Sequence, residues 1–469
     1  MKTYEDFRKA GETPKERVEF LESAIKQFKS SQTYRDALAG AQYYDKHNTT
    51  IEKYQKFLYT VIGNKIPDLI SADYRLKTLF FRRLVLQQVQ YVLGNGAVFE
   101  QDDTKEKLGK DFDYKLQKAA KRAMAEGVAF GFWNLDHLEV FGYCDTPNEA
   151  GFCPFYSDET SELKAGVRFW FKKEDDNKEV FRATLYEEDG YTDYIKIGEN
   201  DGRELYPKRA YITKTNKTQV DIEDVQYENY NKLPIVPLFA NDSHESELVG
   251  IRESIDCYDF IKSGLANQID DLSTVFWILK NTGGMDDVDL AGFVQKIKTV
   301  HAAVVDGDAG VDATPQTIDV PVEARKTMLE ILRTDIYEDF QALDVKSLSA
   351  AQKTTQEIQA AYQAQDNKCA DFEYNIIEFV QRILELMGID DSPSFVWNRV
   401  VNQAEQTTMI LQSANYLTDE MVIKKLPFLT PEEAEQVIEE RKADDVDRFE
   451  VVEEPVVEEP TEEEVIIEE

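Results

Sequence analysis

Apolar residues along this chain change their period twice, from helical spacing to alternation and back again. Within "IEKYQKFLYTVIGNKIPDLISADYRLKTLFFRRLVLQQVQYVLGNG" (51–96), Leu79, Phe80, Leu84, Val85, Val89, Tyr91, Val92 and Leu93 recur at helical spacing, and Gly-Asn-Gly at 94–96 stops that helix. Polar, charged helical sequence precedes it over 13–40, and a further helix is expected over 112–128. In "GVAFGFWNLDHLEVFGY" the period moves towards two, and 138–240 reads as β-rich. There Val167, Phe169 and Phe171 alternate with Arg168, Trp170 and Lys172. The polar "EDDNKE" then leads into "VFRATLY", which predicts an antiparallel hairpin. "NKLPIVPLFAND" (231–242) is an apolar strand with two prolines, a composition that suits an edge or an exit from a sheet.

Helical spacing returns at 251, where Ile251, Ile255, Tyr258, Ile261, Leu265, Ile269 and Leu272 predict one helix. A mixed segment follows over 273–320, with "LKNTGG" and "DGDAGVDATPQT" read as turns. A second helix carries Met328, Leu332, Ile336, Phe340 and Leu343. A third, over 355–388, carries Ile358, Tyr362, Cys369, Phe372, Ile376, Val380, Ile383 and Met387 and ends near Gly388. At 1.5 Å per residue this last helix would span roughly 50 Å. Between the second and third lies "LDVKSLSAAQKTTQEI" (343–358), small, polar and nearly neutral, with neither Gly nor Pro to explain the break. Residues 394–442 begin with "SFVWNRVV" and continue as helices, including "LTPEEAEQVIEERK" with Thr430 as N-cap and Pro431 in the first turn.

Composition adjusts this picture. The 469 residues allow two to four domains, and 42% hydrophobic residues suffice for real cores. The 90 acidic against 54 basic residues give a net charge of -36, which argues against a simple nucleic-acid glove needing basic surface. From Asp444 the chain holds 13 acidic residues and one Arg in 26 positions and reads as a disordered acidic tail. Four cysteines without a CxxC pair fit a reducing cytoplasm, and neither a signal peptide nor a membrane-spanning apolar run is visible.

Candidate chemistry is sparse. His137, Cys144 and Cys153 match no zinc spacing, and burial as structural residues explains them better. "DGDAGVDATPQT" carries Asp306, Asp308 and Asp312 but has Val311 and Thr317 where a calcium loop needs Gly and Glu. No GxxxxGK[ST], GxSxG, HExxH or GxGxxG occurs, so no catalytic residue, metal site or cofactor is expected.

Several stretches, in order over roughly 15–440, resemble the siphophage-type portal, or head–tail connector, family of tailed double-stranded DNA bacteriophages. They are "FFRRLVLQQVQYVLGNG", "AEGVAFGFWNLD", "NKLPIVPLFANDSHESELVGIRESIDCYDFIKSGLANQIDDL" and "IDVPVEARKTMLEILRTDIYEDFQALDV". The resemblance implies an α+β, mainly α, portal fold and a homo-oligomeric ring, usually a dodecamer, at one capsid vertex. Carried over by position, 1–250 is a β-containing wing, 251–272 and 321–343 are stem helices and 273–320 is an α/β clip. Residues 344–356 are a tunnel loop, 357–393 a long spanning helix, 394–442 a crown and 443–469 the tail.

The implied function is a non-enzymatic DNA channel that nucleates the procapsid with major capsid and scaffolding proteins. It docks the terminase large subunit and later receives a head-completion or tail adaptor. The product belongs to the virion and is made in the host cytoplasm. Lys346, Ser347, Ser349, Gln352, Lys353, Thr354 and Thr355 would face double-stranded DNA, and Lys280, Asn281, Lys296 and Lys298 would sit at the motor-docking clip. The polar loop has a physical reason. An apolar loop would be an exposed patch, and many cations would stall a sliding polymer. Acidic walls repel phosphates over about 8 Å at physiological salt. Two alternatives are an acidic virion scaffold or adaptor without a DNA channel and, more remotely, a metal-dependent nuclease.

Overall fold

The computed structural model describes residues 2–11, 13–59, 64–68, 71–145, 150–173, 179–197, 202–217, 222–271, 276–280, 312–316, 322–346, 355–398, 410–426 and 434–441. The chain divides into a unit spanning Met1–Asn398 and another spanning Arg399–Glu469.

The first unit opens with α1 (Tyr4–Lys9), α2 (Pro14–Lys29), α3 (Gln32–Tyr44) and α4 (Thr49–Lys53). Each start follows from a capping side chain. Thr3 and Thr13 form capping boxes with Asp6 and Glu16, Ser31 caps α3 and Asn48 caps α4. The cap at Ser31 divides the expected helical stretch 13–40 in two. A hairpin of β1 (Phe57–Tyr59) and β2 (Lys65–Pro67) precedes α5 (Phe80–Leu93). Strand β3 (Ala97–Val98), α6 (Asp102–Leu108) and α7 (Phe112–Glu126) lead into the β-rich part.

That part starts with β4 (Val128–Asn134) and β5 (His137–Gly142), then β6 (Gly151–Tyr156), β7 (Leu163–Lys173), β8 (Glu179–Glu187), β9 (Gly190–Ile197) and β10 (Gly202–Glu204). A hairpin of β11 (Ile212–Lys217) and β12 (Ile222–Glu228) follows, then β13 (Ile235–Phe239). Strands β6 to β10 form one antiparallel sheet in sequential order, and the expected pairing of β7 with β8 places Phe169 opposite Ala183. Strand β13 pairs with β4 at the edge of a three-stranded sheet, where its single proline, Pro237, is tolerated, and Pro234 lies just before it.

Strand β4 shows why the period changes at 128. Its alternate side chains enter two different cores. Val128, Phe130 and Phe132 pack with α1–α3 and the five-stranded sheet. Ala129 and Trp133 pack with α5, α7 and the long C-terminal helix. That helix, α10 (Thr355–Met387), follows α8 (Arg252–Asp271) and α9 (Val322–Asp339) along the chain. Its 33 residues correspond to about 50 Å. Tyr362, Cys369, Phe372, Ile376, Val380 and Ile383 are buried, as its apolar stripe predicts. Gly131 lets α10 approach β4, since a Cβ there would lie 2.5 Å from Phe379 Cζ. Gly388 ends the helix with φ +70, a conformation that costs a glycine little.

Beyond α10, β16 (Ser394–Phe395) pairs with β3, after β14 (Phe276–Lys280) and β15 (Asp312–Gln316) have paired with each other. The expected turn at 306–317 is thus partly strand, because Asp312–Gln316 form β15. In the second unit, α11 (Asp419–Lys424) and a helical stretch at 434–441 bury Ile423, Ala434 and Ile438 together.

Candidate functional site

The candidate site is the α8–α9 hairpin and the segments at its two ends. Helices α8 and α9 pack on each other, and Phe80 sits edge-on to Tyr258 of α8 and to Tyr337 of α9, at 5.0 and 6.3 Å. Between them the chain passes through the antiparallel pair β14–β15, which brings Phe276 opposite Gln316. A pair of helices that leaves and returns through one strand pair must run antiparallel, as an αα-hairpin with a tip.

Helix α8 departs from its expected stripe. Ile251 and Ile255 are buried, but further along the buried positions are Asp259, Ser263 and Asn267, while Ile269 is 60% exposed. These three polar residues recur every fourth position and therefore share a face. At 3.6 residues per turn, the centre of that face, at Ser263, lies about 140–160° from Tyr258, Ile261 and Leu265.

The partner of the polar face is an extended segment, 72–78, which belongs to no strand pair among the described residues. The Tyr74 amide donates to Asn267 Oδ1 at 2.6 Å, the Leu76 amide to Ser263 Oγ at 3.0 Å, and the Thr78 amide to Asp259 Oδ1 at 3.0 Å. Asn267 Nδ2 donates back to the Tyr74 carbonyl at 3.4 Å. Two extended residues advance about 6.6 Å and four helical residues about 6.0 Å, so alternate amides meet successive turns. The strap is thus fastened to a different face of α8 from the one that carries Tyr258.

The ladder continues into α3 and α4. Asn48 Nδ2 donates to Asp259 Oδ2 at 2.9 Å, Thr50 Oγ1 donates to Asp256 Oδ2 at 2.8 Å, and the Tyr43 hydroxyl donates to Asp256 Oδ1. Burial pushes the Asp259 carboxyl above the usual aspartate range, against the hydrogen bonds from Asn48 and Thr78. Burial likewise raises the Tyr43 hydroxyl, and the adjacent Asp256 adds to it.

At the other end, α9 stops at Asp339 and the chain turns through Gln341, whose φ is +60. Lys368 Nζ donates to the Phe340 carbonyl at 2.9 Å, and Gln87 Nε2 donates to the Leu343 carbonyl at 3.0 Å. Asp344 Oδ1 accepts from Arg333 Nη2 at 2.6 Å and from the Lys346 amide at 3.0 Å. The chain therefore enters the polar stretch from a fixed point, with Lys346 exposed. Thr355 begins α10. Ser347, Ser349, Gln352, Lys353 and Thr354 lie outside the described residues. Lys280 ends β14 opposite Asp312, while Asn281, Lys296 and Lys298 also lie outside them.

Sequence reasoning missed the ladder. Its signal was present as Asp259, Ser263 and Asn267 at four-residue intervals in a helix scored only for its apolar positions. The expected Met328 stripe position on α9 is 40% exposed, whereas Leu332, Ile336 and Phe340 are buried. His137 is exposed on β5, and Cys144 and Cys153 are buried thiols whose pKa burial raises. Among the described residues, no group of three or more His, Cys, Asp or Glu is placed to hold a metal ion. No described helix is long and apolar enough to cross a membrane.

Residues 29–447 match the family model described as phage portal protein, SPP1 Gp6-like. The chain belongs to this portal family. It is 24% identical over 436 residues to the portal protein of Clostridium phage phiCD119, covering 87% of this chain and 93% of that one. It is 25% identical over 313 residues to the portal protein of Bacillus phage SPP1, covering 66% of this chain and 60% of that one. The described fold is mixed helix and strand, mainly helical, as the resemblance to this family implies.

Proposed function

We propose that this chain assembles into a ring, usually a dodecamer in this family, that conducts double-stranded DNA through one capsid vertex. In this reading it nucleates the procapsid, docks the terminase motor, passes DNA inward during packaging and outward during ejection, and then binds a head-completion adaptor. It is a structural virion protein, and ATP hydrolysis belongs to the motor. The observation that carries the reading is the family match over 29–447, which takes in both helices of the hairpin, its strand tip and the start of α10. The acidic composition supports it, because repelled phosphates slide and do not stick.

The polar stretch after Lys346 is the proposed contact with DNA, through phosphates that carry no sequence information directly. Electron micrographs of the purified chain are expected to show rings with a central hole. Phage heads built with Lys346→Glu and Lys353→Glu together are expected to close normally and to hold less DNA. Full-length packaging at wild-type efficiency would remove the loop from the channel, and failure of the ring itself would move these lysines to a subunit interface. Charge reversal of Lys280, Lys296 and Lys298 is expected to weaken motor binding while rings persist. Unchanged binding by all three variants would displace the docking surface from this tip.

A further inference from the structure

Two exposed apolar surfaces border the α8–α9 hairpin. The first surrounds the strap and comprises Tyr54, Tyr74, Leu76 and Phe260, of which Tyr74 is 50% and Phe260 48% exposed. Tyr54 stands edge-on to Phe260 at 5.1 Å, and Arg75 Nη1 donates to the Glu52 carbonyl at 2.6 Å, which ties the strap to the end of α4 beside Tyr54. Tyr74 and Leu76 are two positions apart in an extended segment, so both side chains leave the same face. The second surface is on α9, where Met328 and Ile331 are 40% and 49% exposed beside the buried Leu332 and Ile336. Both surfaces are exposed in the single chain, so neither covers the other there.

Their charges are opposite. Residues 52–77 carry five Lys or Arg against three Asp or Glu, a positive segment in a chain of net charge -36. Helix α9 carries five Asp or Glu against three Lys or Arg, and Glu323, Glu330, Glu338 and Asp339 are exposed. An apolar centre within a charged rim is the composition of a protein–protein contact, and complementary rims fix its register. Two unlike surfaces on one subunit form a heterologous contact, which repeats around a ring when its rotation closes.

We infer that the strap surface of one copy docks on the α9 surface of the next, with Tyr74, Leu76 and Phe260 against Met328 and Ile331. The inference rests on the ring reading above and adds which faces meet. The ladder then has a second role. Holding the strap by its backbone amides leaves its side chains outward for the neighbouring copy.

The test uses the full chain and exposed charges outside the ladder. Lys53→Glu with Lys65→Glu reverses the strap rim, and Glu330→Lys with Glu338→Lys reverses the α9 rim. Each pair alone is expected to lower the ring fraction, counted by mass photometry, by about tenfold at equal protein concentration. All four substitutions in one chain are expected to restore it, because every contact then pairs opposite charges again. Thermal melting of each variant separates lost assembly from lost folding. If reversal fails to change the ring fraction, or if the fourfold variant fails to recover it while melting normally, the pairing of these faces is overturned. If the unsubstituted chain forms no rings at all, the ring reading itself fails, and this inference with it.

Discussion

Helices α8 and α10 are both amphipathic by sequence, yet they are held in opposite ways. Helix α10 presents Phe372, Ile376, Val380 and Ile383 to a core shared with α5, α7 and β4, and burial of apolar area fixes it. Helix α8 presents Asp259, Ser263 and Asn267 to the amides of a single extended segment. Apolar packing depends on shape and tolerates little change in volume. A hydrogen-bond ladder to backbone depends on the helix residues and on the presence of each amide, but little on which side chains the strap carries. The contrast teaches that a long helix in this fold can be fastened to its surroundings without a hydrophobic face at that point.

The largest expected effect lies on α10. Phe372→Ala should lower stability by about 3–5 kcal/mol, measured by chemical denaturation, because it empties a fully packed site. The comparison breaks if Asp259→Ala costs more. That substitution leaves the Thr78 amide and the Asn48 side chain without their acceptor, and about 1–3 kcal/mol is expected. Ser263→Ala should cost about 1 kcal/mol and speed hydrogen exchange at the Leu76 amide. The sharpest contrast is at one strap position. Leu76→Pro deletes the amide and should resemble the loss of Ser263, whereas Leu76→Ser should stay within about 0.5 kcal/mol.

Asp259 also gives a pH signature. Its folded pKa is raised by burial, so the folded chain keeps this proton to higher pH than the unfolded chain does. The contribution is therefore most favourable at low pH, and it is lost as pH rises from the ordinary aspartate range through the raised value. Asp259→Asn should flatten that part of the stability profile. An unchanged profile would show that this carboxyl does not titrate differently in the two states.

The same contrast explains what could be read from the sequence. Helix α10 was legible because its apolar residues alone specify the buried face, and Gly388 marks its end. The alternation of β7 and β8 was legible for the same reason, as was the edge position of the proline-bearing β13. The lower half of α8 was not, because its buried residues are polar and its partner has no period of its own. Tyr74, Leu76 and Thr78 satisfy their amides with side chains from a helix about 190 positions away, as Tyr74 does with Asn267, and separations of that kind leave no local pattern. The polar stretch after Lys346 could be recognised as a break between helices, but its chemistry was supplied by resemblance to portal proteins and by the demands of a sliding polymer.

The short pair β3–β16 joins Ala97 to Phe395 and closes the larger core. Its consequence concerns synthesis. A ribosome adding about 5–20 residues per second needs about 15–60 seconds to travel between those two partners. Throughout that interval α5, α7 and one side of β4 exist without α10, the element that later covers Phe81, Ala129 and Trp133. The species most exposed to aggregation is therefore the half-made chain on its ribosome, and the last part of the first unit to be translated is the part that ends its vulnerability.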